Sequence, residues 1–154
     1  MLTTKRPICF LLSAAFTVLL SACGSGEPNA EEKQALLEDF EETMTGATLV
    51  GYFTSGEGKL SEERYTIEGV NHLGGDFWLF RARIRYGERD ITLPVPLQVK
   101  WAGNTPVLTL TDVFLPGLGT FTARVLIYRG EYAGTWSGGD HGGQMFGRIE
   151  KSNE

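Results

Sequence analysis

The chain holds only two histidines, His72 and His141, and each stands in a glycine-rich stretch near an acid, Asp76 and Asp140 respectively. Imidazole beside carboxylate is the usual beginning of a metal site or a general-base pair. In an eight-stranded meander, however, the loop after the second strand and the loop after the seventh fall at opposite ends. Two distant histidines with no free thiol make a poor ligand set, so these residues are expected to be solvated turn positions, and no metal is expected.

Other chemistries fail on spacing. A nucleophile elbow needs Gly-x-Ser-x-Gly, and the nearest stretch, Gly134-Thr135-Trp136-Ser137-Gly138, places Ser one position late. A phosphate loop ending at Gly58-Lys59 would need glycine where Phe53 stands and Ser or Thr where Leu60 stands. Glu62 and Glu63 point to opposite faces of one strand and cannot act as a carboxylate pair. No catalytic residue and no cofactor is expected. Arg81, Arg83 and Arg85 share one strand face at a spacing of about 7 Å, suited to an anionic polymer or, more simply, to cross-strand pairing with Glu62 and Glu68. The aromatic set Trp78, Phe80, Tyr86, Trp101, Tyr132 and Trp136 has two readings. It could line an apolar cavity and so form a ligand site, or it could fill the core of a small barrel.

The elements that carry these residues follow from periodicity. From Ala47 onward the chain is a succession of short alternating segments broken by Gly-rich turns. The clearest is 77–86 (FWLFRARIRY), with Trp78, Phe80, Ala82, Ile84 and Tyr86 in phase and the three arginines opposite. In 90–101, Ile91, Leu93, Val95, Leu97, Val99 and Trp101 are in phase while Pro94 and Pro96 take the other face. Two prolines cannot both sit in a central ladder, so this strand is expected to lie at an edge or to break there. With 47–54, 62–70, 106–114, 120–129, a segment around Tyr132 to Trp136, and 144–150, the total is about eight strands with no intervening helix. The fold class is therefore all-β and antiparallel, an up-and-down barrel of about eight strands, with a sandwich as the alternative.

Before this domain (46–154) lies a stretch of different character. Asn29 with Glu32 forms a capping-box pattern, Leu36, Leu37, Phe40 and Met44 recur at helical spacing, and Gly46 follows, which predicts one short amphipathic helix over 30–44. Its stripe is expected to pack on the domain or close one end of the barrel. The preceding 24–28 read as a flexible linker.

At the start, Lys5 and Arg6 precede the apolar run Ile8 to Leu20, which is shorter than the roughly 20 residues needed to span a bilayer and reads as a secretory signal. It ends in Leu20-Ser21-Ala22-Cys23, which resembles the lipobox of bacterial lipoprotein precursors. That resemblance implies removal of 1–22, a diacylglycerol on the Cys23 thiol, acylation of the new amino group, and membrane attachment through that lipid. Gly24-Ser25 after the cysteine, in place of Asp, resembles lipoproteins sent to the periplasmic face of the outer membrane. Cys9 leaves with the signal and Cys23 is consumed, so the domain is expected to hold together without a disulfide. Taking Lys5 and Arg6 from the 14 basic residues leaves 12 against 19 acids, and 24–45 carries Glu27, Glu31, Glu32, Glu38, Asp39, Glu41 and Glu42 against Lys33 alone. An acidic chain without a basic stripe excludes nucleic acid as a partner.

Gly130-Glu131-Tyr132-Ala133-Gly134-Thr135-Trp136 resembles the Gly-x-Trp feature of calycin barrels, the lipocalin and avidin types, although here it stands in the seventh strand and not near the first. The resemblance implies a barrel that encloses a small ligand. The sequence thus leads to one expectation, a non-catalytic envelope lipoprotein binding a small apolar or amphipathic ligand. The alternative is a filled barrel acting through an envelope protein partner.

Overall fold

A computed structural model describes residues 28–56 and 58–151. The signal, Cys23 and the linker before Pro28 lie outside the described residues. One helix, α1 (Ala30–Met44), precedes eight strands: β1 (Ala47–Ser55), β2 (Lys59–Gly74), β3 (Phe77–Tyr86), β4 (Arg89–Ala102), β5 (Thr105–Leu115), β6 (Gly119–Tyr128), β7 (Glu131–Gly138) and β8 (His141–Lys151). Each strand pairs antiparallel with the next, and β8 returns to β1, so the sheet closes into an up-and-down barrel. The expected barrel is the observed one. Closure pairs both flanks of the sheet and leaves it without a true edge strand.

Alternation decides which side chains point inward. In β4, Leu93, Val95, Leu97 and Val99 are buried, while Thr92, Pro94 and Pro96 are exposed. The prolines sit where the ladder is one-sided. Along β3, ten residue pairs run from Phe77↔Gln98 to Tyr86↔Arg89, but β4 meets β5 only from Gln98↔Thr109 to Ala102↔Thr105. The upper half of β4 therefore behaves as a local edge, and a residue without an N–H costs no ladder bond there. Facing it, β5 carries an irregularity between Leu110 and Val113, with Asp112 at φ 51°. Asp112 is held there by its side chain and backbone N–H, both bonded to the Thr122 hydroxyl, at 3.1 and 3.0 Å.

The helix begins on the reciprocal cap the sequence predicts. The Asn29 side chain accepts from Glu32 N–H, and the Glu32 carboxylate accepts from Asn29 N–H, both at 2.9 Å. It ends at Thr45, after which Gly46 takes φ 75° and donates its N–H to Ile67 O at 2.8 Å. Leu37, Phe40 and Met44 are buried against the end of the barrel. At about 1.5–3 kcal/mol for each such side chain, this burial holds the helix in place far more firmly than its capping does. Phe40 meets Trp78 and Trp101 edge-on, at centroid distances of 5.2 and 5.6 Å. α1 thus closes the end that carries the β2–β3, β4–β5 and β6–β7 turns, and the other four turns surround the opposite end.

Two of the three arginines of the row are paired outside the barrel. Arg81 meets Glu68 at 2.8 Å, on the neighbouring strand as expected, but the acid facing Arg83 is Asp90 of β4, at 2.6 Å. The β3–β4 register brings Asp90 opposite Arg85 and diagonal to Arg83, and this proximity depresses the Asp90 carboxyl below its ordinary range. Exposed pairs of this kind add little to stability.

Candidate functional site

Between α1 and the open end the barrel is hollow. A cavity of about 700 Å³ runs down its axis. At its deep end lie Phe80, Leu97 and Ile67. At its mouth lie Leu118, Gly139 and His141, from the β5–β6 and β7–β8 turns. The volume falls within the range of small-molecule sites, and the walls are largely Leu, Val, Ile, Ala and Phe.

Of the six aromatic residues singled out in the sequence, five divide between three places. Phe80 and Trp136 line the cavity. The Trp136 indole N–H donates to Thr54 O at 3.1 Å, and the ring stands between Phe53 and Phe121, 5.7 and 6.3 Å away. Trp78 and Trp101 belong to the closed end, packed with Phe40 and not lining the cavity. His72 stacks on Trp78 at 4.5 Å, its Nε2 2.9 Å from Gly75 O, so it is part of the barrel floor. Tyr132 is buried in the wall. Tyr86 ends β3 opposite Arg89; its side chain lies outside what is described. His72 and His141 stand at opposite ends of the barrel, as the meander requires.

One buried acid interrupts the apolar wall. Glu63 is 3% exposed and lines the cavity. The hydroxyl of Tyr65 donates to Oε2 at 2.6 Å, and that of Tyr132 donates to Oε1 at 2.9 Å. Burial pushes this carboxyl above the ordinary carboxylate range, and the two phenol donors pull it partly back. Burial, reinforced by the adjacent Glu63 charge and hydrogen bond, pushes the Tyr132 phenol far up, so it remains a proton donor at any physiological pH.

The contact across the barrel depends on two glycines. In the ladders, Tyr132 of β7 faces Gly147 of β8, Gly147 faces Gly51 of β1, and Gly51 faces Glu63 of β2. The tyrosine lies flat across both glycines to reach the carboxyl two strands beyond its neighbour. A Cβ on Gly51 would stand 2.5 Å from the Tyr132 hydroxyl and 2.7 Å from Gly147 Cα, and one on Gly147 would stand 2.7 Å from the tyrosine ring. The space that Tyr132 occupies is therefore made by the absence of two side chains. The sequence carried a signal for Glu63, since it shares phase with Tyr65 and Ile67 on the inward face of β2, against the usual outward placement of a charge.

No protein-family model matches this chain, and no curated protein and no solved structure matches it.

Proposed function

We propose that this protein is a lipid-anchored envelope protein that binds a small amphipathic molecule inside its barrel. The observation that carries this reading is the apolar cavity, open at one end and closed at the other by α1 through Leu37, Phe40 and Met44. A core that merely holds a barrel together is filled, because voids of this size forfeit contacts on every side. Here the inward residues at several wall positions, Ala82 and Ala123 among them, are too small to meet across the axis. The anchor is the lipid on Cys23 implied by the lipobox resemblance, and Gly24-Ser25 directs it to the outer membrane. The chain enters the barrel at its closed end, so the mouth opens on the side away from the tether's point of entry. No reaction is assigned to the cavity: the one buried acid on its wall is held by two phenols, an arrangement that suits recognition.

The test is occupancy. The purified protein should take up apolar probes with a change in the fluorescence of Trp136, and Ala123→Trp, which fills the passage between mouth and floor, should weaken uptake by about tenfold or more while the barrel still melts cooperatively. Unchanged uptake in a folded Ala123→Trp protein would place the probe elsewhere and end this reading. A second reading, action through an envelope protein partner, is favoured by an exposed apolar row on the outer face, where Tyr52, Phe146, Ala133 and Leu126 succeed one another across β1, β8, β7 and β6. It predicts that charges placed at Tyr52 and Phe146 abolish function and leave probe uptake intact.

A further inference from the structure

The Glu63 carboxyl is a specific device and not a residual polar atom. Two glycines are spent to bring Tyr132 to it, Tyr65 reaches it from its own strand, and all of this stands on the wall of the cavity. We propose that Glu63 recognises the polar end of the ligand, and that this end is cationic: an ammonium or guanidinium group on an apolar body. The inference rests on the reading of the cavity as a ligand site and names what that site selects.

A carboxylate offers about four acceptor positions on its two oxygens. Each oxygen receives one phenol, which leaves acceptor capacity on both. Among the described residues no Lys, Arg or His meets this carboxyl, and burial without a nearby positive charge is what raises its proton affinity. An ionised carboxylate in apolar surroundings is costly unless a cation and further donors complete it. A ligand ammonium brings both, with three N–H donors and a positive charge. The phenols also fix the carboxyl in place, so a bound cation need not organise its acceptor. Fatty acids, by contrast, would bring a second negative charge into the same low-dielectric space and should be rejected. Beyond Glu63 and its partner Tyr65, the titratable side chain lining the cavity among the described residues is His141, exposed at the mouth and beside Asp140.

The experiment compares three probes with one twelve-carbon chain, dodecylamine, dodecanol and dodecanoate, binding to the purified full chain at neutral pH, read by displacement of an apolar dye. Dodecylamine is expected to bind about tenfold or more tighter than dodecanol, the gain of an ion pair over a hydrogen bond from a neutral hydroxyl, with dodecanoate weakest. Glu63→Gln, nearly the same shape without the charge, should reduce the amine's advantage over dodecanol to about twofold or less. Equal binding of all three probes would overturn cation recognition while the cavity reading stands; binding of none would overturn both. If Glu63→Gln fails to fold, the wild type decides with a second pair of matched shape, dodecylguanidine and dodecylurea. The guanidinium is expected to bind about tenfold or more tighter than the neutral urea, and equal binding overturns the proposal.

Discussion

Replacing Tyr132 by Phe removes one hydroxyl and leaves the ring lying over Gly51 and Gly147. The variant loses the 2.9 Å bond to Glu63 Oε1 inside a nearly closed wall, where water cannot readily replace it. Hydrogen bonds to charged groups contribute about 1.5–3 kcal/mol, and a buried acceptor left short of donors keeps most of its desolvation cost, so a loss of about 2 kcal/mol is expected. With unfolding entropy near 2.1 cal/mol/K per residue over roughly 120 ordered residues, or about 0.25 kcal/mol/K, this lowers Tm by about 8 °C. The loss should grow as pH rises through the raised Glu63 value, because the ionised form is the stronger acceptor and in acid the bond approaches an ordinary one of about 1 kcal/mol. Thermal melts followed by circular dichroism across that pH range measure both quantities. A drop of under about 2 °C in alkali, equivalent to under about 0.5 kcal/mol, would refute the assignment of this bond as a buried charge-assisted contact.

Four further outcomes follow from the same structure. Gly51→Ala places a methyl against the Tyr132 hydroxyl and the Gly147 backbone, and should cost about 1–3 kcal/mol or more by chemical denaturation, since rigid backbone stands on one side. Phe40→Ala removes the ring that joins Trp78 and Trp101 to α1 and should cost about 3–5 kcal/mol, with α1 becoming the first segment to exchange its amide hydrogens. Glu63→Gln should remove a pH dependence whose sign is set by the raised carboxyl pKa. The stability linked to Glu63 is fully present below its ordinary value of 4.5 and is lost as pH rises through the higher folded-state value, so the variant should gain on the wild type across that window in paired melts. Cys23→Ser should release the protein from membranes or leave it unprocessed, and unchanged membrane fractionation would remove the lipid anchor from the account.

The strands were legible because each buries one face, and the period of two survives in 77–86 and 90–101 without interruption. The helix was legible from its caps, Asn29 with Glu32 at one end and Gly46 at the other. The prolines of β4 announced a break in a ladder, but its position depended on how few pairs β4 makes with β5, a matter of register that composition does not carry. The same limit hid the partner of Arg83. Glu62 is a plausible cross-strand acid, yet the β3–β4 pairing delivers Asp90. Glu63 was in the inward phase throughout, but its charge argued for solvent. Only the closed barrel brings Tyr132 across Gly147 and Gly51 to it from sixty-nine residues away. Trp78, Phe80, Trp101, Tyr132 and Trp136 were recognised as inward-facing, while their division between floor, wall and cavity required knowing which end α1 closes.

The central claim is that the hollow of the barrel is a binding site, and the most direct measurement is a crystal structure with an alkylamine whose chain carries a terminal bromine. Anomalous scattering from the bromine is predicted within the barrel beside Phe80, with the ammonium at the Glu63 carboxyl. Bromine found only on the outer face, or a barrel whose axis stays empty in crystals saturated with the probe, would contradict it.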